Sequence, residues 1–507
     1  MGEQDNQAVS RANRVAVDTF AGRIHVEWDP DAAVTPMGQL PFFIEFLKTT
    51  GVYQNLIDTC PLRYTSPNAS NIKDVLGTLL MSILAGHNRY SHITTIRCDQ
   101  VNPSLLGMER VVSEDSIRRA LLSMDGTEAF NWLDDNLSIT TRSVLGIAPW
   151  ILDTDNTVKC LYGKQEGAVV SYNPKKPGRP SHSYHSYFMG NTRMALGVEV
   201  EPGDKHTGKH VAVGLWKLLD SMPRELWPTF IRGDVAFGSE SIMYEAEKRD
   251  LKYLTKLRLT KKVQALILRM IAKGEWVDAG QGFQGADTTL KLAGWTRSRR
   301  VIVLKRQIHT NEVKQIDDQL KLEFTQTEAN VIKKYEYQVL VTSLDDEVLT
   351  IAQHYRDRGD CENCFDELKN QWGWGGYTTH DLKRCRILSR MVAIIYNWWS
   401  LFVRLANPDK HHEATTSRPL LLHSVAKQTL HAGQTTVTIT STHAKAAFVA
   451  AVMQDLAGFF KEVARTTEQL DLGGRIKLVA LRAFRKLLAL SPPLQPLPCL
   501  KMLPSPG

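Results

Sequence analysis

Residues 150–158 read Trp-Ile-Leu-Asp-Thr-Asp-Asn-Thr-Val, an apolar run that turns polar towards its end. Its length and β-branched residues predict a buried strand carrying Asp153 and Asp155 on one face, because strand side chains alternate with period two. Immediately downstream, YHSYFMG (184–190) and TRMALGVEV (192–200) read as a hairpin with Asn191 at the turn. Residues 209–222 have a helical pattern, PTFIRGD (228–234) is a second buried strand, SESIMYEAEKRD (239–250) a helix, and KYLTKLRL (252–259) a strand. A hairpin followed by alternating helices and strands predicts an α/β fold.

Upstream, residues 1–34 are polar with a short strand expected at Arg23–Trp28, and apolar residues recur at three and four from Leu40 to Leu145. Ser113-Glu-Asp-Ser116 offers an N-cap to the basic amphipathic segment IRRALLSM, and small helical units of this kind often dock on DNA. Downstream, TLKLAG, RSRRVIVLKRQI and YEYQVLVTSL make residues 261–345 β-rich by pattern. One helix is expected over 349–372 and another over 381–405. The His/Thr-rich stretch 408–440 reads as irregular, a helix follows near 442–466, and RIKLVALRAFRKLLAL (475–490) is a basic amphipathic helix before a Pro-rich tail expected to be disordered.

At 507 residues the chain is too long for one ordinary core. Its 43% hydrophobic and 23% charged residues are those of a globular protein rather than a disordered one. A net charge of +8 and a pI near 9.0 favour a polyanionic partner. The seven scattered cysteines argue against a disulfide framework and for a reducing compartment. The N-terminal residues lack the apolar core of a signal peptide, and no uncharged run is long enough to span a bilayer, so a soluble, cytoplasmic protein is expected. Neither a P-loop nor a dinucleotide-binding glycine pattern is present, so no nucleotide fuel is expected.

Three acids stand out. Asp155 lies near the close of its strand, Asp234 ends TFIRGD, and Glu362 lies in the late helical segment. Two carboxylates at strand ends and a third on a helix suit hard divalent cations, and paired Mg²⁺ ions can clamp the attacking and leaving oxygens of a phosphodiester. Taken singly, each acid is better explained as a cap or a surface ion pair. The helix adds weight, because Tyr355, Arg358, Glu362 and Lys369 are spaced by three, four and seven residues. At about 100° per residue they fall within roughly 60° of one face. That stripe is no apolar core, and it suits one metal ligand flanked by groups that grip phosphates; a plain Arg358–Glu362 salt bridge is the simpler alternative.

These residues carry a family resemblance. YRDRGDCENCFDELK (355–369) resembles the Tyr-x₂-Arg-x₃-Glu-x₆-Lys signature of the DDE transposases of bacterial insertion sequences. Residues 152–188, 231–258 and 87–121 are similar, respectively, to the first-aspartate, second-aspartate and N-terminal helical segments of insertion-sequence family 1380. The resemblance implies an RNase H-like catalytic core with a β-rich insertion, flanked by helical N- and C-terminal regions. The expected division is 1–147 for DNA-end binding, 148–260 and 346–405 for the core, 261–345 for the insertion and 406–507 for a helical C-terminal region and tail. Asp155, Asp234 and Glu362 are the implied catalytic residues and metal ligands, with two Mg²⁺ ions for which Mn²⁺ can substitute. Asp155 fits the family's Asp-x-Thr pattern better than Asp153, which is its rival. Tyr355, Arg358 and Lys369 are the implied phosphate contacts. An aromatic of the insertion is expected against a flipped base, with Trp295 and Tyr337 as candidates. The expected partners are double-stranded DNA, as terminal inverted repeats and target, and a second copy of the chain in the DNA complex of a bacterial, nucleoid-associated enzyme.

Two basic clusters are further candidate DNA contacts: Lys175, Lys176 and Arg179 after the first strand, and Arg297, Arg299 and Arg300 in the insertion, with Lys305 and Arg306 beside them. Cys361 and Cys364 form a C-x₂-C pair, but without a second tight pair the spacing is weak support for zinc. The expected activity is cut-and-paste transposition through a hairpin intermediate. A stand-alone Mg²⁺ nuclease and a catalytically inactive, transposase-derived DNA-binding protein are the competing readings.

Overall fold

Among the described residues the first elements are an exposed hairpin, β1 (Val15–Thr19) and β2 (Gly22–Val26), and a two-residue strand β3 (Val34–Thr35). The structure is a computed structural model that describes residues 14–64, 68–171, 173, 176–205, 208–307, 335–440, 443–466 and 470–490. Lys175 and the Pro-rich tail lie outside the described residues. The helical region follows as α1 (Leu40–Thr50), α2 (Val52–Asp58), α3 (Ile72–Leu84), α4 (Ile93–Ile96), α5 (Asn102–Leu105), α6 (Glu114–Ser123) and α7 (Gly126–Leu145). Ser113 caps α6 by accepting from the Ser116 amide, as its position ahead of the amphipathic run predicts.

Next come β4 (Ile151–Cys160), β5 (Val169–Val170), β6 (Pro180–Met189), β7 (Met194–Pro202), α8 (Gly208–Asp220), β8 (Phe230–Gly233), α9 (Glu240–Lys248) and β9 (Lys252–Lys256). Strands β4, β8 and β9 run parallel, while β6 and β7 form the predicted hairpin on the other side of β4. The order β7-β6-β4-β8-β9 places β4 centrally, and β8, flanked by two parallel neighbours, is buried along its whole length.

The segment expected to be β-rich opens instead with a helix, α10 (Lys261–Lys273), ended by Gly274 in the left-handed conformation. Its buried Val263, Leu266, Ile267 and Met270 recur at helical spacing. Strands β10 (Val277–Gly280), β11 (Phe283–Leu290), β12 (Arg299–Gln307) and β13 (Tyr335–Thr342) then form an antiparallel ladder. This ladder continues the main sheet, because β13 pairs with β9. Among the described residues the sheet has ten strands.

The helix expected over 349–372 is broken in two. α11 (Val348–Arg356) ends at Asp357, and α12 (Gly359–Asn370) starts after Arg358. α13 (Leu382–Ala406) is the 25-residue helix of the core and packs against β7 and α7. Its Asn397 accepts from the Ala195 amide at 2.8 Å and donates to the Ala195 carbonyl at 2.7 Å, fixing the helix to β7. The stretch 408–440 is ordered rather than irregular, containing α14 (Ala414–Leu421) and the hairpin β14 (Ala426–His431) and β15 (Gln434–Ile439). Helices α15 (Ala446–Thr466), α16 (Leu472–Ala483) and α17 (Arg485–Leu490) are the last elements among the described residues. Among the described residues, no helix is long and apolar enough to cross a membrane.

Candidate active site

The parallel pairing of β4 and β8 sets Thr154 opposite Gly233, so Asp155 and Asp234 are the next residues along two adjacent strands. The chain turns sharply after β8. A side chain at Gly233 would meet the Phe237 ring at 2.6 Å, and the Asp234 carboxylate accepts from the Ala236 amide at 2.9 Å. Asp155, expected near the close of its strand, lies instead midway along β4, whose pairing with β6 continues to Cys160, while Asp234 leaves its own strand at the same level.

Glu362 reaches this point from the first turn of α12. That helix is anchored on the same side of the sheet by buried Cys361, Cys364, Phe365 and Leu368, with Phe365 edge-on to Phe188 of β6 at 4.9 Å. Arg358, in the break between α11 and α12, joins the acids. Its guanidinium donates to Asp155 at 3.2 Å and to Glu362 at 2.5 Å, with its own side chain only 8% exposed. Burial pushes the Asp155 carboxyl up to about 6; Arg358 opposes that shift, while the charges of Asp234 and Glu362 add to it.

The three acids thus share one electrostatic neighbourhood, but Arg358 stands between two of them. Among the described residues, no group of three or more His, Cys, Asp or Glu side chains is gathered closely enough to hold a metal ion. The donor chemistry nevertheless fits a hard divalent cation. It is all carboxylate oxygen, and the mutual repulsion felt at Asp155 is what a cation relieves.

Lys369, at the far end of α12, donates to the Val158 carbonyl of β4 at 3.1 Å. Burial pushes the Tyr355 hydroxyl up to about 12, so it remains a proton donor at neutral pH. Tyr355, Arg358 and Glu362 line one cavity of about 180 Å³ together with Phe283, Gln338 and Arg356, three residues the sequence reading did not single out. Asp153 has a different role from Asp155. Wholly buried, it holds Arg232 through two contacts of 2.5 and 2.6 Å, and Arg232 also donates to the His354 carbonyl near the end of α11.

The basic clusters divide. Lys176 and Arg179 lie over the ring of Tyr162 at 5.2 and 5.3 Å, and that tyrosine is 68% exposed. Tyr162 went unnoticed in the sequence because only the pairing of loop and strand end brings it to the cations. Arg297 is exposed and pairs with Glu247 at 3.0 Å. Arg299 is buried, its guanidinium shared between Glu240 and Glu247 and lying 5.2 Å from the Trp295 ring centre. Arg300 is engaged by Asp287 and by the Leu344 and Asp346 carbonyls. The expectation of phosphate contacts thus meets two arginines already held within the protein's own ion-pair network. Lys305 lies 3.9 Å from the Trp276 ring centre. Of the two candidate stacking aromatics, Trp295 is buried and Tyr337 half-buried. The C-x₂-C thiols are packing groups: burial pushes Cys364 up to about 12 and Cys361 well above its ordinary value.

Comparison with the curated proteins gives no match. Among solved structures, the chain is similar to a piggyBac transposase in its synaptic complex with hairpin DNA, at 11% identity, covering 91% of this chain and 87% of that one. The TM-score of 0.39 is too low for that likeness to support a conclusion. The family model "Transposase DDE domain group 1" matches residues 33–459, a span that includes β4, β8 and α12 with their three acids. The chain belongs to this DDE transposase family and is a DNA-cleaving and transposing enzyme, of a class that works with divalent metal ions.

Proposed function

We propose that the protein is the cut-and-paste transposase of a bacterial insertion sequence akin to family 1380, acting through a DNA hairpin. The observation that carries this reading is the placement of Asp155 and Asp234 side by side on adjacent strands, with Arg358 linking Asp155 to Glu362. The strand order β7-β6-β4-β8-β9, antiparallel on one side of β4 and parallel on the other, supports an RNase H-like core built from 148–260 and 346–405. On this reading 261–345 is the insertion, 1–147 the end-binding region and 406–507 the helical C-terminal region.

Asp155, Asp234 and Glu362 would hold two Mg²⁺ ions, or Mn²⁺ in their place. When bound, these ions supply charge neutralisation and orientation of the attacking and leaving oxygens. Water attacks the phosphorus at the element's end and leaves a 3′-OH. That hydroxyl attacks the opposite strand, closing a hairpin and releasing the flanking DNA. Water reopens the hairpin, and the freed 3′-OH joins target DNA. Each strand-transfer step exchanges one phosphodiester for another, so no nucleotide fuel is required. Tyr355, still protonated, donates its hydroxyl to a phosphate. Lys369 holds β4 against α12 and adds positive charge beside it. Arg358 lets go of one carboxylate and takes a phosphate oxygen, a switch that suits its forked guanidinium. Lys176, Arg179 and Arg297 bind the DNA flanks. Two ends must be cut together, so a homodimer holds the paired ends in the bacterial cytoplasm at the nucleoid.

The test is incubation of purified protein with terminal-repeat DNA and Mg²⁺, followed on a denaturing gel. Hairpin and joined products are expected from the wild type. Glu362→Gln and Asp155→Ala should yield none while binding the ends nearly as well. Nicks without joining would make it a nuclease, and binding without nicks an inactive DNA-binding relative.

A further inference from the structure

We infer that the cavity beside Glu362 is a second phosphate subsite, in which Arg356 takes a phosphodiester of the bound strand next to the one that is cut. This rests on the DNA-cleaving reading above.

Arg356 is the last residue of α11, and its Nη2 lies against Gly280, in the turn between β10 and β11. Its Nη2 donates to Gln353 at 2.9 Å. Its Nε and Nη1 are buried and, among the described residues, have no acceptor. Arg356 is only partly buried as a whole, but shielded donors with no acceptor are costly, and such groups normally find an anion or water.

The surroundings are shaped around this charge. The turn joining β10 to β11 holds Gly280, Gln281 and Gly282 in the left-handed region, at φ 78°, 54° and 78°. A side chain at Gly280 would come within 2.9 Å of Arg356 Nη2, so the turn leaves space only for the arginine. Phe283, next in the chain, lies 5.8 Å from the Arg356 guanidinium and 5.2 Å from that of Arg306, its ring electrons favouring both cations. The Gln338 side chain lines the same cavity, which runs on to Tyr355 and Glu362. Asp278 and Asp357 act on Arg356 only at longer range, since neither forms an ion pair with it. An anion with several acceptor oxygens would satisfy both donors at once. Within one cavity of the catalytic glutamate, the DNA backbone is the polyanion the enzyme must hold.

The experiment uses the full chain and duplexes carrying the element's terminal repeat, either unmodified or with single neutral methylphosphonate linkages flanking the cut. Wild-type protein should bind one neutral-linkage duplex about tenfold more weakly, the loss typical of one charge-assisted contact. Arg356→Ala should bind unmodified DNA equally weakly and be indifferent to that linkage. Its slope of log K against log salt should fall by about one, and Arg356→Lys should restore part of that slope. Additive losses from the variant and the neutral linkage, in a protein that still cuts DNA, would overturn the subsite and leave the proposed function intact. A wild type that neither binds nor cuts would overturn both. Loss of secondary structure in Arg356→Ala would move the decision to Arg356→Lys with the same duplexes, where additivity again refutes the assignment.

Discussion

Replacing Asp155 by Asn should make the metal-free protein more stable. Its carboxyl, 18% exposed, is moved by burial from an ordinary 3.8 to about 6, with Asp234 and Glu362 pushing the same way. The folded protein therefore holds this proton to higher pH than the unfolded chain does. The stability so conferred is complete below pH 3.8 and is lost as pH rises through about 6. A displacement of that size corresponds to roughly 3 kcal/mol at pH 8 and about half as much near pH 5. Asparagine carries no such loss, and its amide oxygen can still accept from Arg358. Urea unfolding followed by tryptophan fluorescence would compare the two proteins at pH 8 and pH 5. The variant should unfold at higher urea at pH 8, with the gap shrinking at pH 5. Added Mg²⁺ should raise the wild-type midpoint, because it binds only the folded carboxylates, and leave the variant nearly unmoved. A variant no more stable than the wild type at pH 8, or a gap that widens towards pH 5, would refute the reasoning.

Three other substitutions separate architecture from chemistry. Asp153→Ala strands the buried Arg232 charge and should cost about 3–5 kcal/mol in the same unfolding assay, while titration calorimetry finds Mg²⁺ affinity little changed. Arg299→Ala should lower the unfolding midpoint, because Glu240 and Glu247 lose a buried partner, yet leave the salt slope of DNA binding as it was. Arg179→Ala should do the opposite, leaving stability alone and lowering that slope by about one.

The central strands were legible because their signal is local. ILDTDNTV and TFIRGD carry their own burial pattern, and the hairpin between them is marked by Asn191. The segment 261–273 carried a helical signal as well, with Val263, Leu266, Ile267 and Met270 between Thr260 and Gly274. The β-branched residues that follow it drew the whole region into one reading. The break at Arg358 left no trace in the spacing, since the Tyr-Arg-Glu-Lys stripe keeps its period across a two-residue interruption. The hairpin at 426–439 turns on Ala432, whose positive φ is unusual for that residue, so its turn gave no warning. Among the charged residues, sequence supplies the cation but not its counter-ion. Arg299 looked like a phosphate contact because Glu240 and Glu247 lie more than fifty positions away. In sequence the Asp-x-Thr pattern favours Asp155 over Asp153, but what Asp153 does instead is visible only in its pairing with Arg232 across the strands.

The continuity of the sheet through β13 and β9 bears on how the enzyme can be dissected. Excising residues 261–345 would strip β9 of the partner that covers Leu254, Thr255 and Lys256. The trimmed protein would present a raw strand edge with unmet amides and carbonyls, a template for aggregation. Phe230 and Leu254 would also lose the apolar neighbours they share with Ile302 and Leu340. A minimal catalytic fragment must therefore keep these strands or cap the opened edge with charge, and the added ladder is a structural dependency of the core rather than a detachable module.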